Sequence, residues 1–322
     1  MKILTTLGPA SLNKKFLKFS NKNISLLRIN LSHVSINELP KIIKFVRKYS
    51  KVPICLDTEG AQIRTKVLKK KFFRKNSKIA FKKKNKINLF YPSYVLEKVK
   101  LGDQFDVGFS GLKLKILKNS NKELKFKVLN SGWLENNKGV HLINRKIKLN
   151  YLTQKDFEAI KIAKKMGIKN YALSFTNNIK DVINFTNLLK NEKKIYKLET
   201  REAIKNLSKI LQKGNYFLID RGDLSKEIST EMIPVAQRQI IISAKKSKNK
   251  EVFVATNFLE SMLENNFATR GEVNDIYSTL SQGAKGLVLA AETAIGKNPI
   301  ECVNVIKKIY KIFKKNKNKF NI

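Results

Sequence analysis

Lys197 and Glu199 stand two residues apart in the run KIYKLE (194 to 199), and on a β-strand that spacing sends both side chains to one face. The next apolar run, YFLID (216 to 220), leads directly into Arg221-Gly222-Asp223, so a second carboxylate arrives at a neighbouring strand end. Glu199 and Asp223 could together grip one hard cation such as Mg²⁺, which takes one or two carboxylates and leaves positions for ligand oxygens. A fixed ammonium at Lys197 beside that ion suits charge gathering on a transferring phosphoryl group. The Arg-Gly-Asp turn offers backbone N–H groups to an anion, with Gly222 permitting close approach. Taken singly, each of these residues also reads as part of a structural ion pair; their concentration on one rim is what favours chemistry.

Such residues need a scaffold that delivers strand ends to one place. Eight short apolar runs end in polar or small residues, with helix-length segments after most of them: KILTTLG (2 to 8), ISLLRIN (24 to 30), PICLDT (53 to 58), YALSF (171 to 175), KIYKLE (194 to 199), YFLID (216 to 220), VFVAT (252 to 256) and GLVLAA (286 to 291). One intervening segment puts Leu39, Ile42, Ile43 and Val46 on a single helix face. Another opens at Thr153-Gln-Lys-Asp156 and stops at Gly167, and the last starts near Pro299 and repeats Cys302, Ile306, Ile309 and Phe313. Strands alternating with helices predict an α/β fold, a (β/α)8 TIM barrel whose functional groups collect at the C-terminal ends of the strands. Read there, the second run contributes Arg28, Asn30 and Ser32, and the third Asp57, Thr58 and Arg64. The fifth supplies Lys197 and Glu199, the sixth Arg221 to Asp223, the seventh Thr256 and Glu260, and the eighth Glu292 and Thr293.

One connection breaks the rhythm: roughly a hundred residues separate the third run from the fourth, far beyond an ordinary loop. Within residues 66 to 138, KINLFY, KLKIL and ELKFKVL alternate or run apolar between turn residues, which predicts an inserted β-rich lid and leaves 1 to 65 and 139 to 322 for the barrel. The tail after about residue 314 has little to bury and is expected to fray.

The formal charge of +41 by itself suggests a nucleic-acid or membrane partner. Only nine of the 66 basic residues are Arg, however, and the lysines are spread through helices and loops without a nucleic-acid reading motif, so a solvated lysine surface is the expectation, with no nucleic-acid and no membrane partner. Cys55 and Cys302 lie far apart in apolar segments, which predicts core thiols in a reducing compartment. The N-terminus enters a strand-like run at once and no long uninterrupted apolar stretch follows, so a cytoplasmic location is expected.

The same segments resemble the pyruvate kinase family, in order along nearly the whole chain: LTTLGPAS (4 to 11), LRINLSH (27 to 33), LDTEGAQIRT (56 to 65), KVLNSGWLENNKGVHL (127 to 142), YKLET (196 to 200), IDRGDLSKEI (219 to 228), VATNFLESM (254 to 262), TRGEVND (269 to 275) and AAETAIGKNPIE (290 to 301). The resemblance implies a barrel with a β lid after strand three, and transfer of the phosphoryl group of phosphoenolpyruvate to ADP in glycolysis, giving ATP and an enolate that is protonated to pyruvate. Glu199 and Asp223 match the Mg²⁺ ligands, Lys197 the lysine that stabilises the transferring group, and Arg28 an arginine facing the phosphate. Gly222 and Asp223 match the stretch that holds the substrate carboxylate, and Thr256 the threonine beside the enolate. Asn30, Ser32, Asp57 and Thr58 match a monovalent cation (K⁺) site, and Arg64, His33 and Lys138 fall where the family meets nucleotide phosphates; a local capping or packing role for His33 is an equal alternative.

The departures are specific. The family's C-terminal domain, which carries effector sites and a subunit interface in many members, has no counterpart here, so regulation of that kind is not expected, and a homo-oligomer, a dimer, would use the barrel surface near Arg270 and Glu272. Ala290-Ala291 replaces Ser-Gly, Phe109-Ser110-Gly111 replaces a paired Asp before Gly, and Glu59-Gly60-Ala61-Gln62 replaces Lys-Gly-Pro-Glu. Gln62 stands where potassium-dependent members carry an acid, and Asp220 adds an acid where a small residue is usual. These leave a second reading, a diverged, catalytically impaired paralogue that binds phosphoenolpyruvate or a related acid with Mg²⁺ as a sensor or scaffold.

Overall fold

A computed structural model describes residues 1–82, 89–108, 111–120 and 123–316. The chain folds as two compact units, one formed by Met1–Gly60 with Gln154–Ile322 and the other by Ala61–Thr153. Among its described residues the first unit is a closed barrel of eight parallel strands, β1 (Lys2–Thr6), β2 (Leu26–Asn30), β3 (Ile54–Asp57), β4 (Asn170–Leu173), β5 (Lys193–Leu198), β6 (Tyr216–Asp220), β7 (Glu251–Ala255) and β8 (Gly286–Leu289). Each strand pairs with its successor and β8 closes on β1, with Lys2 opposite Gly286 and Thr5 opposite Leu289. Each of the eight apolar runs overlaps one of these strands, three of which, Asn170–Leu173, Lys193–Leu198 and Glu251–Ala255, begin one residue earlier than the run.

The barrel interior follows from period-two alternation. Leu4, Cys55, Ala172, Ile195, Leu218, Phe253, Ala255 and Val288 pack together inside. Their neighbours in sequence, such as Leu27, Leu56, Tyr171, Tyr196, Phe217, Val254 and Leu287, are buried as well. Both faces being covered explains why the strands read as continuous apolar runs. Two residues further along the inward face, the composition changes: Cys55 gives way to Asp57, Ala172 to Ser174, Ile195 to Lys197 and then Glu199, and Leu218 to Asp220. The inward faces of these four strands are thus apolar toward the base and polar at the C-terminal end.

The helices form where the periodicity places them. Leu39–Tyr49 buries Leu39, Ile43 and Val46, and Pro299–Asn316 buries Cys302, Ile306, Ile309 and Phe313. The helix Gln154–Lys165 ends before Gly167, whose φ of 72° is left-handed. Asp156 does more than open this helix: it is fully buried, and its carboxylate accepts the amides of Glu59 (2.7 Å) and Gly60 (3.0 Å), which pins the turn after β3. Gly60 is required there, because with φ of 67° a Cβ would lie 2.5 Å from the Ser174 carbonyl oxygen. Both cysteines are buried free thiols, and burial pushes that of Cys302 up to about 12. No helix among the described residues is long and apolar enough to cross a membrane.

Helix Arg270–Gln282 opens with a reciprocal capping box between Thr269 and Glu272, and the Glu272 carboxylate also accepts from the Ser261 amide and hydroxyl. Partial burial opposes ionisation of Glu272, but the Ser261 and Thr269 donors more than offset it, so its pKa lies below the ordinary value of 4.5. A depressed carboxylate contributes stability that is present above its unfolded value and is lost as pH falls through the folded one. Glu272→Gln should therefore cost ~1 kcal/mol at neutral pH. In thermal melts across pH the gap to the parent should close below pH 4.5.

The inserted unit is antiparallel. Its seven-stranded sheet runs, in spatial order, Lys78–Lys82, Glu123–Asn130, Leu112–Asn119, Gln104–Val107, Gly139–Leu142, Ile63–Thr65 and Phe90–Tyr91, with a two-stranded pair of Gly132–Leu134 and Lys71–Phe73 beside it in sequence. Leu112, Leu114 and Ile116, and across from them Leu124, Phe126 and Val128, alternate into one core. KLKIL and ELKFKVL fall in these strands; of KINLFY, Phe90–Tyr91 forms a strand and residues 86–88 lie outside the described residues, as do Phe109, Ser110 and the end of the tail from 317. The unit is wider than 66 to 138. Ile63–Thr65 pairs with Gly139–Leu142, Arg64 opposite Gly139, so both strands belong to the insert. The sequence boundary misses this because the partners are far apart in the chain.

Candidate active site

Lys197 is the centre of the polar rim. The residue is 4% exposed, and its ammonium lies 3.1 Å from Glu199 Oε2, 3.2 Å from Asp220 Oδ2 and 3.7 Å from Asp57 Oδ2 and donates to Ser174 Oγ at 3.2 Å. The register explains the grouping: Lys197 is level with Leu218, which sets the following inward positions, Glu199 and Asp220, beside one another. Arg28, on β2, reaches Asp57 Oδ2 at 3.4 Å. Its Nε and Nη1 are buried without a hydrogen-bond partner.

Strand ends hold the acids in place. The Phe175 amide donates to Glu199 Oε1 at 2.6 Å, Ser174 Oγ donates to Asp57 Oδ1 at 3.1 Å, and the Ser174 amide donates to Thr58 Oγ1 at 3.0 Å. Carboxylate oxygens of Glu199, Asp220 and Asp223 lie within 4.8 Å of one another.

The electrostatics are those of a crowded cation site. Burial works against the Lys197 charge, but Asp57, Glu199 and Asp220 outweigh it and raise its pKa, so the ammonium stays charged. Burial raises Glu199; Lys197 opposes this, Asp223, Asp220 and Asp57 add to it, and the carboxyl sits well above the ordinary range. Asp220 goes the other way, because Lys197 and Arg28 overcome its burial. Three buried carboxylates (Asp57, Glu199 and Asp220) and the half-buried Asp223 beside them, against two cations (Arg28 and Lys197), leave a formal excess of two negative charges. Buried like charges are costly unless neutralised. A hard divalent cation taken up by these oxygens would supply that neutralisation, and the donor set fits Mg²⁺.

The turn after β6 is partly satisfied internally. The Gly222 amide donates to Thr256 Oγ1 at 2.9 Å. A Cβ on Gly222 would meet Thr256 and Asp220 at 3.6 Å, an ordinary contact, so packing does not demand glycine and its smallness leaves room for a ligand. Thr256 holds a φ of 73°, strained for a β-branched residue. Arg221 fastens it: Nε and Nη2 donate to the Thr256 carbonyl, Nη1 pairs with Asp275 at 2.7 Å, and the guanidinium stacks 4.2 Å from the Phe258 ring.

The remaining expected residues divide. Asn30 lies opposite Asp57 in register and its Oδ1 accepts from the Ser32 amide at 3.0 Å, so Asn30, Ser32, Asp57 and Thr58 collect at the ends of β2 and β3. His33 ends the 3₁₀ turn Leu31–His33 on the exposed side of the same unit. Arg64 and Lys138 belong to the inserted unit, where Arg64 Nη1 donates to the Asn137 carbonyl at 3.2 Å and Lys138 pairs with Glu135 at 3.2 Å. Glu292 and Thr293 brace the fold, Glu292 accepting the amides of Phe258, Leu259 and Ala290, and Thr293 donating to the Thr6 carbonyl. Glu260 pairs with Asn257 at the surface. Asp220 and Ser174 are central, yet neither was among the residues assigned a role from sequence. Continuing the inward alternation from Leu218 and Ala172 would have found both.

Fold and site together define a (β/α)8-barrel protein with a buried carboxylate, ammonium and guanidinium cluster at the strand ends. The family model for the pyruvate kinase barrel domain matches residues 1–303, and the chain belongs to the pyruvate kinase family. It is 32% identical over 330 residues to a pyruvate kinase of Thermotoga maritima, covering 96% of this chain and 70% of that relative. To a pyruvate kinase of Staphylococcus aureus (strain USA300) it is 33% identical over 328 residues, covering 96% of this chain and 56% of that relative.

Proposed function

We propose that this chain is a phosphotransferase of the pyruvate kinase type, moving the phosphoryl group of phosphoenolpyruvate to ADP. The observation that carries the reading is the pairing, in one buried cluster, of the Lys197 ammonium with Arg28, whose Nε and Nη1 have no hydrogen-bond partner. Buried donors of that kind imply an anion that completes them. Glu199 and Asp223 would hold Mg²⁺, which supplies neutralising charge to the phosphate oxygens when bound. Lys197 and Arg28 would bind the phosphoryl group, Lys197 most strongly as negative charge spreads over its oxygens. The bond between phosphorus and the enol oxygen breaks, a terminal ADP oxygen bonds to phosphorus, and the electron pair stays on the enolate. Thr256, held by Arg221, would bring its hydroxyl to the enolate for protonation to pyruvate.

Asn30, Ser32, Asp57 and Thr58 would take K⁺, and Arg64, Lys138 and His33 the nucleotide phosphates. We also place the protein in the cytoplasm, as a homo-oligomer. The deciding experiment is a dehydrogenase-coupled assay for pyruvate with phosphoenolpyruvate, ADP and Mg²⁺, run with and without K⁺; turnover is expected, and none at any salt removes the reading. One observation favours the binding-only alternative: the amide of Gly222 is already bonded within the protein. Thermal stabilisation by oxalate with Mg²⁺ but no turnover would select it.

A further inference from the structure

Asp220 ends β6 on the inward face, 5% exposed, and makes a contact that an incoming anion would otherwise make: its Oδ2 is 3.2 Å from Lys197 Nζ. A second relation points elsewhere: one of its oxygens lies within 4.8 Å of oxygens of both Glu199 and Asp223. Glu199 itself is 0% exposed, and its Oε2 lacks a hydrogen-bond partner while lying 3.1 Å from Lys197. Asp220 is therefore poised between two occupations, as counter-ion to Lys197 or as ligand to a cation shared with Glu199 and Asp223. Neither occupation is available to a small apolar residue.

We propose that Asp220 is a third carboxylate ligand of the divalent cation, and that in the metal-free protein it serves as an internal anion which holds Lys197 until the cation draws it away. The inference rests on the cation-site reading given above and deepens it. A cation attracts the Asp220 carboxylate directly and weakens its attraction to Lys197 by competition for the same charge. The exchange frees an ammonium for a ligand anion at the moment the ion arrives. Cation binding and anion binding are then linked, so that each strengthens the other.

The test uses the full chain, with Mn²⁺ alone as the metal probe and oxalate as the anion probe, both followed by calorimetry, on the parent, Asp220→Asn, Asp220→Ala and Glu199→Gln. Removing a ligating carboxylate should weaken Mn²⁺ binding by about tenfold or more, the scale at which even outer partners of a metal site act. The same Asp220 variants should bind oxalate more tightly than the parent when no metal is present, because Lys197 is released. Opposite signs for the two probes are what a merely structural role would not produce. Parent-like Mn²⁺ affinity in both Asp220 variants, alongside loss in Glu199→Gln, overturns the proposal and leaves the cation site standing. A fall in both affinities also overturns it, as damage to the pocket. Absence of Mn²⁺ binding by the parent overturns the cation-site reading with it.

Discussion

Lys197→Met should lower turnover by roughly 10²–10³, the scale of removing one charge-stabilising donor, while the KM for phosphoenolpyruvate changes little. The ammonium's interaction grows as charge develops on the transferring group, so its loss falls on the transition state more than on the bound substrate. The same substitution has a structural signature that needs no activity. It strips the shared counter-charge from Asp57, Glu199 and Asp220, which Lys197 meets at 3.7, 3.1 and 3.2 Å. Removing one partner of a buried ion pair costs about 3–5 kcal/mol because the others are left uncompensated. Without divalent cation the variant should therefore melt well below the parent, and Mg²⁺ should narrow the gap by restoring positive charge. A variant that melts with the parent and turns over at the parent rate would remove Lys197 from the mechanism.

Arg28→Lys separates charge from geometry. A lysine keeps one positive charge for Asp57, but it cannot present the fork whose Nε and Nη1 are buried and without a hydrogen-bond partner. A hydrogen bond to a charged group contributes roughly 1.5–3 kcal/mol, so kcat/KM for phosphoenolpyruvate should fall about 10–100-fold. Because the retained charge still faces Asp57, stability should change much less than in an Arg28→Ala chain. Steady-state kinetics and melting curves on both variants give the comparison. Equal kcat/KM in Arg28→Lys and the parent would show that the guanidinium donors meet no substrate oxygen.

Much of the site is legible in the linear chain because strands impose a two-residue period and barrels use one end of every strand. That rule brings Lys197, Glu199, Asp57 and Arg28 to one rim, and the structure has them there. Asp223 follows from the turn that closes β6, and Thr256 from the end of β7, where Arg221 and a left-handed backbone hold it. The eight barrel strands, the amphipathic faces of Leu39–Tyr49 and Pro299–Asn316, and the existence of an inserted β unit are local patterns too, readable from side-chain periodicity.

What the amino-acid order by itself determined, then, is which residues face inward and at which end of the barrel they sit. Tertiary structure alone decided which of them touch. Asp220 is one more acid in the sequence; only the stagger between β5 and β6 sets it beside Glu199 and against the Lys197 ammonium. Ser174 becomes a brace for Asp57 because β4 lies next to β3, a pairing made across the whole insert. The edge of that insert was equally hidden, since Ile63–Thr65 finds its partner at Gly139–Leu142 by hydrogen bonds between distant backbone groups, which leave no periodic mark on side chains. The physical reason is common to all three: local sequence sets the direction of a side chain, while strand register, fixed by packing of the whole barrel or sheet, sets its neighbours.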